Sequence, residues 1–252
     1  MNAADSHIDK NGFRLRGTAL SRVDGFSDVV FGFALTLLVV SLEVPKTYAE
    51  LHANLLGFLP FALSFTLLIM IWFAHFHFFR RFGLDDNATI IINAVLLFVI
   101  LFFVYPLKFL FNILLSSRSA PKVFQTDQQA RELMVLYGLG YMVVYLLLAA
   151  LYLNAWRQRH DLQLNRVERA LTFWWILDHA GTAGVALLSV AAAFLLPIDR
   201  AGYAGFIFFL MPVVKTVQGT IAGHRMRLLR AQEAERANAT INPPPEPSIQ
   251  VA

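Results

Sequence analysis

Apolar positions along this chain gather into long blocks instead of alternating. Nearly uncharged runs occupy Phe26 to Leu42, Leu55 to Phe79, Ala88 to Leu107, Leu133 to Trp156, Ala170 to Leu196 and Ala201 to Gly223. A helix needs about 20 such residues to cross a bilayer core, whereas membrane strands read as ~10-residue alternating segments. The pattern predicts an all-α integral membrane protein with six transmembrane helices per subunit. Asp28 and Lys215 interrupt the first and last runs.

Charge then sets the expected orientation. With six spans, fourteen Lys/Arg fall on the side of both termini and six on the other, with Lys215 inside the last span. By the positive-inside rule both termini are expected in the cytoplasm. The chain divides accordingly into a cytoplasmic segment 1–23, a six-helix membrane domain 24–223 and a basic tail 224–252. The prolines of 242–247 lead us to expect disorder beyond about Arg236. No cleavage pattern follows the first run, so span one is expected to be retained.

Composition narrows the function classes. Hydrophobic residues make up 57% of the 252 positions and charged ones 15%, which excludes a soluble domain. The net charge of +4 follows from the loop arginines and lysines, and no recognition motif supports nucleic-acid binding. Zero cysteines exclude disulfides, thiolate metal sites and cysteine nucleophiles. The polar loop Ser116 to Glu132 leaves no room for a soluble catalytic domain. Tyr137-Gly-Leu-Gly-Tyr141 lacks the aspartate of a membrane aspartyl protease, so no enzyme and no cofactor is expected.

Polar groups within the spans carry the functional signal, because they are costly in hydrocarbon. Asp28 lies about a turn inside span one, His75 four residues before the end of span two and Asn93 five residues into span three. Antiparallel order sets all three level near the cytoplasmic face. Trp72 shares a helix face with His75. With Ser27 these groups form a candidate hydrogen-bonded cluster, capped from the interface by Arg22. Adhesion between helices is the plain role for such a cluster; a proton relay and the positioning of a pore helix are the alternatives. His75 and His77, two apart, point to opposite sides of a helix and cannot chelate one metal ion together.

The same depth argument levels Asp178 in span five with Lys215 in span six, predicting an intramembrane salt bridge with His179 nearby. Gly181, Gly184 and the neighbouring alanines give span five a small-residue surface, while Pro60, Pro106 and Pro212 are candidate kinks. Along span one, Phe26, Val30, Phe33, Leu37, Val40 and Val44 form one stripe, with Thr36 a turn from Phe33 and Val40. Such a stripe serves ordinary packing or a pore surface.

Arg22-x-x-x-Phe26-Ser27-Asp28 followed by Ala34-Leu-Thr36-Leu37-Leu-Val-Val40, together with Trp72-x-x-His75 and Asn93, resembles the first-helix signature and polar partners of the transmembrane protein 175 family of potassium channels. The resemblance rests on spans one to three; spans four to six match in number and length. It implies a homotetramer in the cell membrane, with potassium passing through a central pore lined by helix 1. Carried over residue by residue, Phe33, Leu37 and Val40 would form the constriction with Thr36 beside it. Arg22, Phe26, Ser27, Asp28, Trp72, His75 and Asn93 would be the supporting network. The family usually presents isoleucine or leucine where Phe33 stands. The alternative reading is a proton- or cation-coupled secondary transporter using Asp28, His75, Asp178 or Lys215.

Overall fold

A computed structural model describes residues 8–9, 12–40, 45–56, 58–115, 124 and 126–241 of the chain. The described residues are helical almost throughout: α1 (Arg22–Val40), a short α2 (Tyr48–Leu56), α3 (Phe58–Phe82), α4 (Asn87–Leu115), α5 (Asp127–Arg157), α6 (Arg166–Leu195), a 3-10 segment (Ile198–Leu210) and α7 (Met211–Ile241). Six stretches are long and apolar enough to cross a membrane: α1, α3, α4, α5, α6 and the composite Ile198–Leu229. Pro60, expected as a kink, falls in the first turn of α3, where the missing N–H has no partner to lose, and Pro212 stands where the 3-10 segment passes into α7. Pro106 lies inside α4.

The last span differs most from expectation. It starts as a 13-residue 3-10 helix before α7 takes over. The 31 residues of α7 cover about 46 Å at 1.5 Å per residue, so the helix runs well past Gly223. The prolines at 242–247 lie outside the described residues.

α5 and α6 form the central hairpin. Gly138 of α5 meets Val190 and the Ala186 carbonyl of α6, so a side chain there would overlap the partner helix. On α6 the buried surface is Thr182, Ala183, Ala186, Ser189, Val190 and Ala193, while Gly184 faces open space. α6 begins with a capping box in which Asn165 and Glu168 satisfy each other's backbone N–H groups. α1 sits at the edge of this bundle and touches only α3 and α4 among the helices. It buries Ser27, Phe31, Ala34 and Leu38, at spacings of four, three and four.

The amino-terminal segment folds back over the same end of the bundle. Phe13 is fully buried against Phe82 and Trp175. Backbone bonds run from Arg16 N to Arg81 O (3.2 Å) and from Gly17 N to Arg80 O (3.1 Å). Contact here is close enough to require glycine: Gly83 has φ +60, and a Cβ on it would sit 3.1 Å from the Gly17 nitrogen.

Candidate functional site

Three helices converge on the polar groups near the start of α1. His75 Nε2 lies 2.8 Å from Asn93 Oδ1, and Asn93 Nδ2 donates to Ser27 Oγ at 2.8 Å. Ser27 in turn donates to the Val23 carbonyl, one turn back on its own helix, at 2.7 Å. The direction is forced from the far end. Ser27 gives its proton to a carbonyl and accepts from the amide, so Asn93 offers its oxygen to His75, which must carry its proton on Nε2. His75, Asn93 and Ser27 are buried, and Phe31 and Phe79 close over the imidazole at 5.3 and 4.7 Å.

A second tie lies beside it. Trp72 Nε1 donates to Asp28 Oδ1 at 2.7 Å. Because Trp72 and His75 stand one turn apart on α3, and Ser27 and Asp28 are adjacent on α1, the two ties pin the same level of α1. The expected single cluster is therefore two separate bond sets joined through helix backbones. Arg22 does not cap it: the residue starts α1, is exposed, and makes no hydrogen bond or ion pair among the described residues. His77 bonds back to the Phe73 carbonyl on an exposed side of α3, away from His75. Among the described residues no group of His, Asp and Glu is placed to hold a metal ion.

Opposite the anchored face, α1 presents an apolar stripe that the described residues leave largely uncovered. Phe26 is 63% exposed, Phe33 64%, Leu37 54% and Val40 71%. Thr36 lies on this side too, and its hydroxyl donates to the Gly32 carbonyl at 2.9 Å. With its proton committed to backbone, what Thr36 turns outward is an oxygen lone pair. Val44 lies outside the described residues.

On the far side of the bundle Lys215 Nζ meets Asp178 Oδ2 at 2.5 Å, and the ammonium lies 5.8 Å from the Tyr145 ring centroid. Gln218, one turn further along α7, donates to the Leu177 carbonyl at 3.0 Å. His179 lies nearby without bonding either partner; its ring sits tilted against those of Tyr145 and Tyr152.

Two ties went unread in the sequence. Glu168, fully buried, accepts from the Arg14 backbone N–H (2.9 Å), from Arg14 Nε and Nη2 (both 3.1 Å) and from Arg16 Nη2 (2.9 Å). This carboxylate clasps the segment that leads into α1. The visible signal was Asn165-x-x-Glu168, which reads as a helix cap and says nothing of distant arginines. Asp86 caps α4 through the Ala88 and Thr89 N–H groups and also receives Asn154 Nδ2 of α5, 3.2 Å from each oxygen.

A bundle of membrane-length helices, with one helix held by polar ties on one side and bare on the other, defines a polytopic membrane protein of the channel and transporter class. Comparison with known proteins narrows the class. A family model described as endosomal/lysosomal potassium channel TMEM175 matches residues 22–103, the stretch that contains both polar ties and the bare stripe. A potassium channel of Marivirga tractuosa is 35% identical over 230 residues, covering 86% of this chain and 93% of the relative. A potassium channel of Streptomyces collinus is 25% identical, covering 73% and 91%. The crystal structure of a variant of the potassium channel MtTMEM175, in complex with a nanobody–MBP fusion protein, superposes with a TM-score of 0.77 at 33% identity, covering 86% of this chain and all of that one. A TMEM175 homologue from Chamaesiphon minutus shares the fold at a TM-score of 0.52 and 23% identity. The chain belongs to the TMEM175 family of potassium channels and is not an enzyme.

Proposed function

We propose that the chain assembles as a homotetramer in the cell membrane and conducts potassium passively, with both termini cytoplasmic and α1 lining a central pore. The observation that carries this reading is the two-sidedness of α1: Ser27 and Asp28 are fixed to α3 and α4, while Phe33, Leu37 and Val40 face away from the subunit's own core. Copies of that stripe facing one another make an apolar constriction. Such a ring stops ions by dewetting, since stripping a hydration shell without replacement ligands is costly. Phe33 adds ring faces that attract a cation, and the Thr36 oxygen is the polar atom nearest the ring. Conduction then requires α1 to move, and the two polar ties set the point about which it moves.

The test is ion flux in proteoliposomes under an imposed membrane potential and no proton gradient. The wild type should carry potassium in preference to sodium, and Phe33→Ala should raise flux or change the preference. Unchanged flux and preference would remove Phe33 from the constriction. Flux that appears only with a proton gradient would instead favour coupled transport. The mass of the purified assembly in detergent checks the tetramer.

A further inference from the structure

A cavity of about 650 Å³ opens between α3, α4, α5 and the 3-10 segment. Its wall is apolar, with Leu67, Ile100, Val104, Val144 and Phe206 among the lining residues. The volume lies within the roughly 300–1,000 Å³ of small-molecule sites. An apolar space of this size does not fill with water, and left empty it forfeits the dispersion contacts of every side chain around it. In a membrane the medium at its opening is hydrocarbon, which fills it at no cost in hydrogen bonds.

The 3-10 geometry shapes this space. A 3-10 helix is thinner than an α-helix, and this one presents Gly202 and Gly205 to the cavity where side chains would otherwise stand. Its Phe208 packs edge-on against Tyr141 of α5 at 5.5 Å, holding the wall in place.

A cation stands near the start of α5, one turn before the first α5 residue of the lining. The α5 residues Met134, Tyr137, Tyr141 and Val144 line the cavity, and Arg131 lies on their face one turn closer to the start of the helix. Arg131 reaches the Leu196 carbonyl at 3.4 Å with Nη2, while its buried Nε has no hydrogen-bond partner. A guanidinium one turn from an acyl-sized slot, with donors to spare beyond its single bond to the Leu196 carbonyl, offers the recognition chemistry of a lipid phosphate.

We propose that the cavity binds one acyl chain of a phospholipid whose phosphate is held by Arg131. None of Phe33, Leu37 and Val40 lines the cavity, and the proposal requires only that the helices lie in a membrane. Its occupant joins the composite last span to α3 and α4.

The test is native mass spectrometry of the full-length channel in detergent, titrated with palmitoyl-oleoyl phosphatidylglycerol or the matching phosphatidylcholine. The wild type should retain phospholipid in fixed ratio to subunits and prefer the anionic lipid. Arg131→Gln should weaken phosphatidylglycerol retention about tenfold, the scale of a lost charge-assisted bond, and Arg131→Lys should recover part of it. Leu67→Trp and Gly205→Leu fill the slot from opposite walls and should each lower retention of both lipids at least fivefold. A Cβ added at Gly205 meets only the Met134 sulfur, at 3.2 Å, on a flexible side chain that can give way, so this variant is expected to fold. Undiminished retention in both filled variants would overturn the proposal. So would a change in subunit number without a change in lipid, which would show that a second copy of the chain covers the groove.

Discussion

Asn93 donates to the Ser27 hydroxyl at 2.8 Å while its carbonyl oxygen accepts from His75, so one side chain of α4 joins α1 to α3 inside the membrane domain. No water competes for these groups, because all three residues are buried. Breaking the chain at Ser27 leaves the Asn93 amide without an acceptor, at a cost of about 1–3 kcal/mol. Ser27→Ala should therefore lower the melting temperature in detergent, and Ser27→Thr should largely spare it by keeping the hydroxyl. Asn93→Leu removes donor and acceptor together but strands the His75 Nε2 proton, since Ser27 keeps its bond to the Val23 carbonyl, and should cost a similar amount. Equal melting temperatures for the wild type and Ser27→Ala would mean that α1 is held by packing alone.

Glu168 organises the amino-terminal segment. Its carboxylate is fully buried and takes hydrogen bonds from both Arg14 and Arg16, whose side chains are 41% and 19% exposed. Removing the acid leaves two guanidinium groups facing a buried site, which in comparable pairs costs about 3–5 kcal/mol. Arg14→Ala removes the more exposed partner and should cost far less, on the order of 1 kcal/mol. Limited proteolysis reads the difference directly. Cleavage between Phe13 and Gly17 should accelerate strongly in Glu168→Ala and little in Arg14→Ala; identical cleavage in the two would show that Phe13 packing holds the segment without the ion pairs.

Asp86 gives the fold a pH dependence with a defined sign. Partial burial pushes its carboxyl up, but hydrogen bonds from Thr89, Gln158 and Asn154 and from the Thr89 backbone outweigh that, leaving it below its ordinary value. The unfolded chain thus takes up this proton first as pH falls. The stabilisation is complete above the ordinary carboxylate value of about 3.9 and is lost as pH drops through the folded value. Melting temperatures of the wild type and Asp86→Asn should converge as pH falls from about 5 to below the ordinary carboxylate value of about 3.9. Curves that stay parallel down through the folded value would show that Asp86 contributes no titrating stability.

How much of this was legible in the chain depends on the periodicity involved. Span positions follow from hydrocarbon length, and counting residues inward from each interface put Asp28, His75 and Asn93 at the level where their bonds lie. Counting depth does not give azimuth, which is why Asp28 and His75 read as one cluster although Asp28 bonds Trp72 and His75 bonds Asn93. The Glu168 clasp could not be read at all, since its partners lie more than 150 positions away in a polar segment without periodic signal. The 3-10 start of the last span was hidden for a local reason. Its apolar residues satisfy an α-helical reading equally well, and its packing against α5 and α6 is a tertiary feature that a local pattern does not carry.

Asp178 and Lys215 form the one ion pair joining two of the membrane-length helices among the described residues, and their 2.5 Å contact couples α6 to the composite last span. Neutralising either partner leaves the other charge alone at membrane depth, where insertion scales assign about 2.5–3.5 kcal/mol to an aspartate, lysine or arginine. Asp178→Asn and Lys215→Met should each reduce membrane expression and melting temperature. The double replacement should be milder than the sum of the two, because no lone charge remains. Exchanging the charges, Asp178→Lys with Lys215→Asp, should recover much of the loss if pairing is what the residues do. A double exchange no better than the worse single variant would mean that each residue serves a different neighbour, with Tyr145 beneath Lys215 the first to examine.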